Sequence, residues 1–196
     1  MAQTGWYNGR TPEISLATGN AGPNPAPVPK SPQGTNIIII NMKTYIINPD
    51  NGNRVTIDEW RQESDPKRAE LIAIENDEGK ILLMKKNIIP GRFSFSRAQE
   101  AAAAFKPKNP EGLTFRCPTR KECMDIWDAH EDGTLDEAIE LTGGSPLEGW
   151  YWTCERWFAR RSTANHAWIF SGTYGSLISS YVNYAYRCQA VTLLTN

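Results

Sequence analysis

After Glu155 the chain carries no Asp, no Glu and no Lys, although all three are spread through the first 155 positions. The last 41 residues instead hold four Tyr, two Trp, four Arg and many Ser, Thr, Asn, Gly and Ala. A surface helix needs a polar face at the 3.6-residue period, and this segment has no such period. It has short runs of strand formers at 150–154, 167–170 and 186–191, separated by Ser, Thr, Asn and Gly. A sheet of short strands is therefore expected at the C-terminal end. The vocabulary has two readings. Tyr and Trp give large contact area at small entropic cost, Ser, Gly and Asn adapt their hydrogen bonds, and Arg adds planar donors, as in an antibody paratope. Tyr and Thr are also good strand residues, and a buried sheet sheds charge.

Upstream, residues 1–35 are rich in Gly, Pro, Asn and Ser, with Pro23, Pro25, Pro27, Pro29 and Pro32 among them. Such a segment cannot bury enough apolar surface to fold alone and is read as an extended arm. Because Trp6, Tyr7, Ile14 and Leu16 lie within it, both a flexible tail and an arm that orders on a partner fit. Residues 36–92 read as β-hairpins. Ile37-Ile38-Ile39-Ile40 and Thr44-Tyr45-Ile46-Ile47 precede a turn at Pro49-Asp50-Asn51-Gly52, and two apolar runs flank Asn76-Asp77-Glu78-Gly79. Three helices follow. Ser96 with Gln99 forms a capping-box pattern before an alanine run, and Pro107 bounds it. The second spans about 118–130, capped near Thr119, with Cys123, Ile126 and Trp127 on one face. Thr134 is expected to cap the third, which Gly143-Gly144 ends.

Several functions find no support. Net charge is −1, so a general nucleic-acid or polybasic membrane role is not expected. No 18-residue apolar stretch would span a bilayer, and the first residues have no signal-peptide pattern. Four cysteines without a C-x-x-C pair, and two His, argue against a zinc site. No metal or other cofactor is expected. Asp125 with Asp128, and Asp132 with Asp136, are read as solvated helix faces rather than acid–base pairs. His166 near Ser162 and Thr163 lacks a placed carboxylate, so no catalytic residue is named. The chain is read as non-enzymatic.

The order of motifs in the last hundred residues resembles a known family. Ser96-Arg97-Ala98-Gln99-Glu100-Ala101-Ala102 resembles its first helix. Phe115-Arg116-Cys117-Pro118-Thr119-Arg120-Lys121-Glu122 resembles its R-L-P-T-x-x-E element, with Cys117 where Leu is usual. Trp150-Tyr151-Trp152-Thr153-Cys154-Glu155 resembles its Y-W strand, and Ala167-Trp168-Ile169-Phe170-Ser171-Gly172 a shortened A-W-x-x-x-F-x-x-G. Tyr186-Arg187-Cys188-Gln189-Ala190-Val191 resembles the closing V-R-x-V strand. The family is that of the C-type lectin-fold variable proteins of diversity-generating retroelements, which includes phage tropism determinants.

The resemblance covers about residues 93–193 and implies an α+β C-type lectin-like domain over 93–196, preceded by the arm and the hairpins. It implies a framework of Trp150, Trp152, Trp168, Arg187 and Val191. The ligand-contact positions would be Arg156, Phe158, Ser162, Asn165, Ile169, Ser171, Thr173, Tyr174, Ser176, Ser180, Tyr181, Asn183 and Tyr184. The expected role is receptor binding on a phage virion, at a fibre or tail tip, with a host cell-surface protein or glycan as ligand. The protein would be made in the host cytoplasm, and its arm would dock to other virion proteins. A homo-oligomer such as a trimer would add avidity of about 10²–10⁴. A bacterial surface adhesin and a structural virion component are the rival readings. A related oxidase that makes formylglycine with a cysteine pair is a third, and a Cys154–Cys188 disulfide would require neighbouring strands.

Overall fold

A computed structural model of the chain describes residues 42–158 and 165–194. The arm expected at 1–35 and the Ile37-Ile38-Ile39-Ile40 strand lie outside these residues. The described residues fall within one compact unit, so the hairpins and the C-terminal sheet belong together. The class is mixed α+β, with two five-stranded sheets.

The first sheet has the order β10-β4-β3-β1-β2. It contains β1 (Lys43–Ile47), β2 (Arg54–Thr56), β3 (Leu71–Glu75), β4 (Ile81–Lys85) and β10 (Val191–Leu194). Both expected hairpins form. Gly52 at φ +76° closes the first, and Gly79 at φ +72° the second, where the Asn76 side chain accepts from the amides of Glu78 and Lys80. Leu71, Ile72, Ala73 and Ile74 are all buried, so β3 has no solvent face. Leu71, Ala73 and Leu83 pack with Phe95, Ala98, Trp152 and Ile169. Ile72, Ile74 and Leu82 pack with Ile126, Ala129, Leu135, Ala138 and Ile139. The sheet is thus a middle layer, and unbroken apolar runs are what such strands require.

The second sheet has the order β5-β9-β6-β7-β8. Its strands are β5 (Ile89–Phe93), β6 (Trp150–Arg156), β7 (His166–Ser171), β8 (Leu177–Tyr181) and β9 (Tyr186–Cys188). The expected closing strand at 186–191 is divided, because Gln189 and Ala190 carry the chain from one sheet to the other. Ala190 accepts from the Lys85 amide at 3.0 Å, and Val191 then pairs with Met84.

The helices are α1 (Ile57–Trp60), α2 (Phe95–Ala104), α3 (Arg120–Glu131) and α4 (Thr134–Thr142). Thr119 caps α3, as expected, and does so through a capping box with Glu122. The other two starts differ. Helix α2 is capped at Ser94, not Ser96. The Phe95 amide donates to Val182 O at 2.9 Å, and its ring meets the edge of Trp152 at 5.5 Å. Tertiary contacts thus supply what a capping side chain would. In α4, Thr134 is the first helical residue and Gly133 the cap, while Asp132 accepts from both the Thr134 amide and its hydroxyl.

Candidate recognition surface

Alternation along β7 decides which of its side chains can meet another molecule. Ala167 and Ile169 point into the core between the sheets, leaving His166, Trp168 and Phe170 on the outer face. Across the β7–β8 ladder these lie opposite Tyr181, Ser179 and Leu177. Helix α3 covers the Phe170–Leu177 end, where Cys123, Trp127 and Leu147 pack on Phe170. The first residue of α3 marks where that cover stops. The Arg120 guanidinium sits 4.8 Å above the Trp168 ring, and the Glu155 carboxylate holds it through Nε at 3.0 Å and through the Arg120 amide at 2.7 Å.

Past Trp168 the outer face is a run of rings in edge-on or tilted contact. Trp157 lies 5.6 Å from His166, His166 4.1 Å from Tyr181, and Tyr181 5.6 Å from Tyr184. Tyr181 and Tyr184 keep 52% and 56% of their exposure, and Phe158 keeps 78%. Edge-on and tilted ring contacts restrict these side chains, while Tyr181 and Tyr184 stay exposed and Trp157 and His166 are half-buried, an arrangement suited to a contact surface.

The expected contact positions do not form one patch. Phe158, Asn165, Tyr181, Asn183 and Tyr184 are exposed around this aromatic end. Thr173 and Tyr174 are exposed, and Ser176 half-buried, in the turn at the other end of β8, about 13 Å away at the usual strand rise. That turn is firmly held. Ser171 Oγ accepts from the amides of Thr173 and Tyr174, Thr173 Oγ1 accepts from the Gly149 amide, and Gly175, at φ +63°, presses on the Trp127 ring. Arg156 is exposed but lies 5.1 Å over the Phe95 ring, beside α2. It pairs with core-facing Ala167 across a bulge in β6. Ser162 lies outside the described residues.

Three of the expected contact positions are buried, against the outward placement a ligand contact needs. Ile169 faces the core opposite Trp152, Ser171 is consumed in the turn, and Ser180 shares a hydrogen bond with the Tyr186 hydroxyl at 2.9 Å. Conversely, Ile178 was not singled out, yet it is 46% exposed. It lies opposite Ile169, but on an edge strand, where the core no longer covers it. Among the framework positions, Trp152 and Val191 are fully buried. Trp152 Nε1 donates to Phe93 O at 2.6 Å, and Arg187 Nη1 donates to Glu148 O at 2.6 Å.

Beneath the surface lies an ion pair that ties the chain before α3 to the helix. Arg116 grips Glu122 with both nitrogens at 2.6 Å. Burial works to raise the Glu122 carboxyl, but the Arg116 guanidinium and the Thr119 amide outweigh it, leaving it below the ordinary carboxylate range. The four cysteines are free thiols. The sulfur near Cys188 is that of Cys117, at 3.8 Å, and both residues are buried in the core. Hydrogen bonding to Cys188 and burial push the Cys117 thiol far up; burial does the same for Cys123 and raises Cys154. Asp125 and Asp128 are half-buried rather than solvated, and burial raises both carboxyls. Asp125 accepts from Asn76, Asp132 from Thr134, and Asp136 is bonded to His130. Among the described residues no group of His, Cys, Asp and Glu is arranged to hold a metal ion, and no helix is long and apolar enough to cross a membrane.

No family model matches the chain, and no curated protein matches it.

Proposed function

We propose that this is a non-enzymatic receptor-binding protein of C-type lectin-like fold, displayed on a phage virion and diversified by a retroelement. The uncovered aromatic end of the outer face is the recognition surface. One observation carries this reading: the rings of Trp157, His166, Tyr181 and Tyr184 touch in sequence, edge-on or tilted, just where α3 stops covering the sheet. Tyr181 and Tyr184 remain more than half exposed although they touch each other, which leaves aromatic area available to a partner. Large aromatics at the centre of a contact are also the residues that carry binding energy. The ligand is a host cell-surface protein or glycan, and the arm at 1–35 fixes the protein to the particle as part of an oligomer such as a trimer.

The test is adsorption of the labelled full chain to a panel of bacterial cells, with the Y181A/Y184A double variant alongside. Loss of adsorption by a variant that still folds supports the proposal. Undiminished adsorption, or burial of these tyrosines against neighbouring subunits in the assembled particle, overturns it. Diversification is tested separately, by looking for a near-repeat of the coding segment beside a reverse-transcriptase gene.

A further inference from the structure

Strand β4 ends at Lys85, and a second lysine, Lys86, follows it directly. Neighbours in a strand normally point to opposite faces. The ladder stops at Lys85 and the chain bends at Lys86, however, so both line one cleft of about 290 Å³ with Lys67, Arg68, Glu70, Asn87 and Phe105. The rim is stapled in place. The Lys86 amide donates to Glu70 O at 3.0 Å, and the Ser145 amide donates to Lys86 O at 3.1 Å. A Cβ on Gly144 would come within 2.7 Å of that same Lys86 oxygen.

The charges in this cleft are not neutralised from within. Arg68 is engaged by Asp50 and Glu63. Lys86 Nζ donates to two carbonyls, Lys67 O and Thr142 O, which leaves its positive charge without a carboxylate. Lys85 Nζ lies 5.3 Å over the Phe105 ring. Neither Lys85 nor Lys86 forms a salt bridge among the described residues. Glu70 turns one oxygen to the Lys108 amide. With Arg68 satisfied, the lining residues Lys67, Lys85 and Lys86 stand against Glu70 alone, an excess of two positive charges. Asp65 acts on Lys86 from outside the lining, and burial followed by repulsion from Lys85 still leaves the Lys86 ammonium below its ordinary range.

We propose that this cleft binds the dianion of a phosphomonoester carried on a small organic body that lies against Phe105. Lysine binds phosphate as a point charge, and a phosphomonoester carries nearly two negative charges at neutral pH. The volume is at the small end of ligand sites, which suits one phosphorylated ring rather than a dinucleotide.

Phenyl phosphate and phenyl sulfate share a shape and differ in charge, so they are the probes. Each is titrated calorimetrically into the full chain at pH 7.5 and matched ionic strength. Phenyl phosphate is expected to bind saturably, one per chain, and phenyl sulfate at least about tenfold more weakly, as the loss of a charge-assisted contact implies. K85M and K67M each weaken phenyl phosphate by a similar factor, and K85R keeps most of the affinity. K43M, at the other end of the sheet opposite Glu75, leaves it unchanged. No saturable binding, equal affinity for the sulfate ester, or wild-type affinity in a folded K85M overturns the proposal. So does equal weakening by K43M. If K85M does not fold, K67M and K85R decide.

Discussion

Replacing Gly175 by alanine tests whether the turn between β7 and β8 is clamped to α3. Two penalties act together there. At φ +63° an L side chain costs about 1–2 kcal/mol relative to glycine. The new Cβ would also stand 2.4 Å from Cε2 of Trp127 and 2.6 Å from two further ring atoms. The indole cannot swing away freely, because it packs on Phe170 at 6.4 Å and His130 at 4.9 Å. Overpacking of this kind costs about 1–3 kcal/mol, so G175A is expected to lose about 3 kcal/mol in all. Gly79 provides the control. Its φ of +72° is nearly the same, and a Cβ there meets nothing within 4 Å, so G79A carries only the backbone cost of about 1–2 kcal/mol. Guanidinium unfolding monitored by tryptophan fluorescence reads the difference, about 2 kcal/mol, and in a thermal melt the same difference is roughly 4–8 °C in Tm. Shrinking the ring in W127L should recover part of the steric share, giving a favourable coupling in the double-mutant cycle. Equal losses in G175A and G79A, or no coupling with Trp127, would refute the clamp.

Three further outcomes follow from the same structure. Y181A and Y184A remove exposed rings, so each should change stability by less than about 1 kcal/mol, while the pair lowers adsorption to target cells at least about tenfold, measured by flow cytometry. E122Q breaks the two-pronged contact with Arg116 and should cost about 2–3 kcal/mol, less than a fully buried pair because the Arg116 side chain is 37% exposed. Since the folded Glu122 carboxyl is depressed, its stabilisation is complete above the unfolded value of about 4.3 and is lost as pH falls through the lower folded value. Denaturation curves from pH 6 to 3 should therefore be steeper for the native protein than for E122Q. In thiol labelling with an aromatic disulfide, Cys117, Cys123 and Cys188, all fully buried, should react only after unfolding, and half-buried Cys154 first; prompt labelling of Cys188 would contradict the packing.

Local signals carried as far as local physics decides. The turns at Gly52 and Gly79, the Thr119 cap and the left-handed Gly143 were all legible, because each needs only residues a few positions apart. Strand β5 was missed because it contains Pro90 and Gly91, which a central strand would not accept. As an edge strand beside β9 it loses nothing by the missing donor. Strand β8 was missed because Ser179 and Ser180 break the apolar pattern; only the ladder with β7 shows that Ser180 belongs to the inner side. The contact positions were legible as a composition and not as a face. Nothing in the sequence states that Ile169 turns inward while Tyr181, on the neighbouring strand, turns out.

The composition break coincides with a structural boundary. Glu155, the last acid in the chain, sits at the N-terminus of α3, where its carboxylate accepts from the Arg120 amide and side chain, a position the helix dipole favours. Arg120 in turn lies over Trp168, the last outer-face residue before the row of uncovered rings. The final carboxylate of the sequence thus fixes the edge of the supported part of the sheet. Beyond it the described outer surface is aromatic, with Phe158, Tyr181 and Tyr184 exposed and Trp157 and His166 half-buried, and with asparagine in the adjoining turns. Acids or lysines there would surround each ring with tightly held water that any partner must strip away. Their absence keeps the cost of covering those rings low, which is what the proposed recognition role requires of this end.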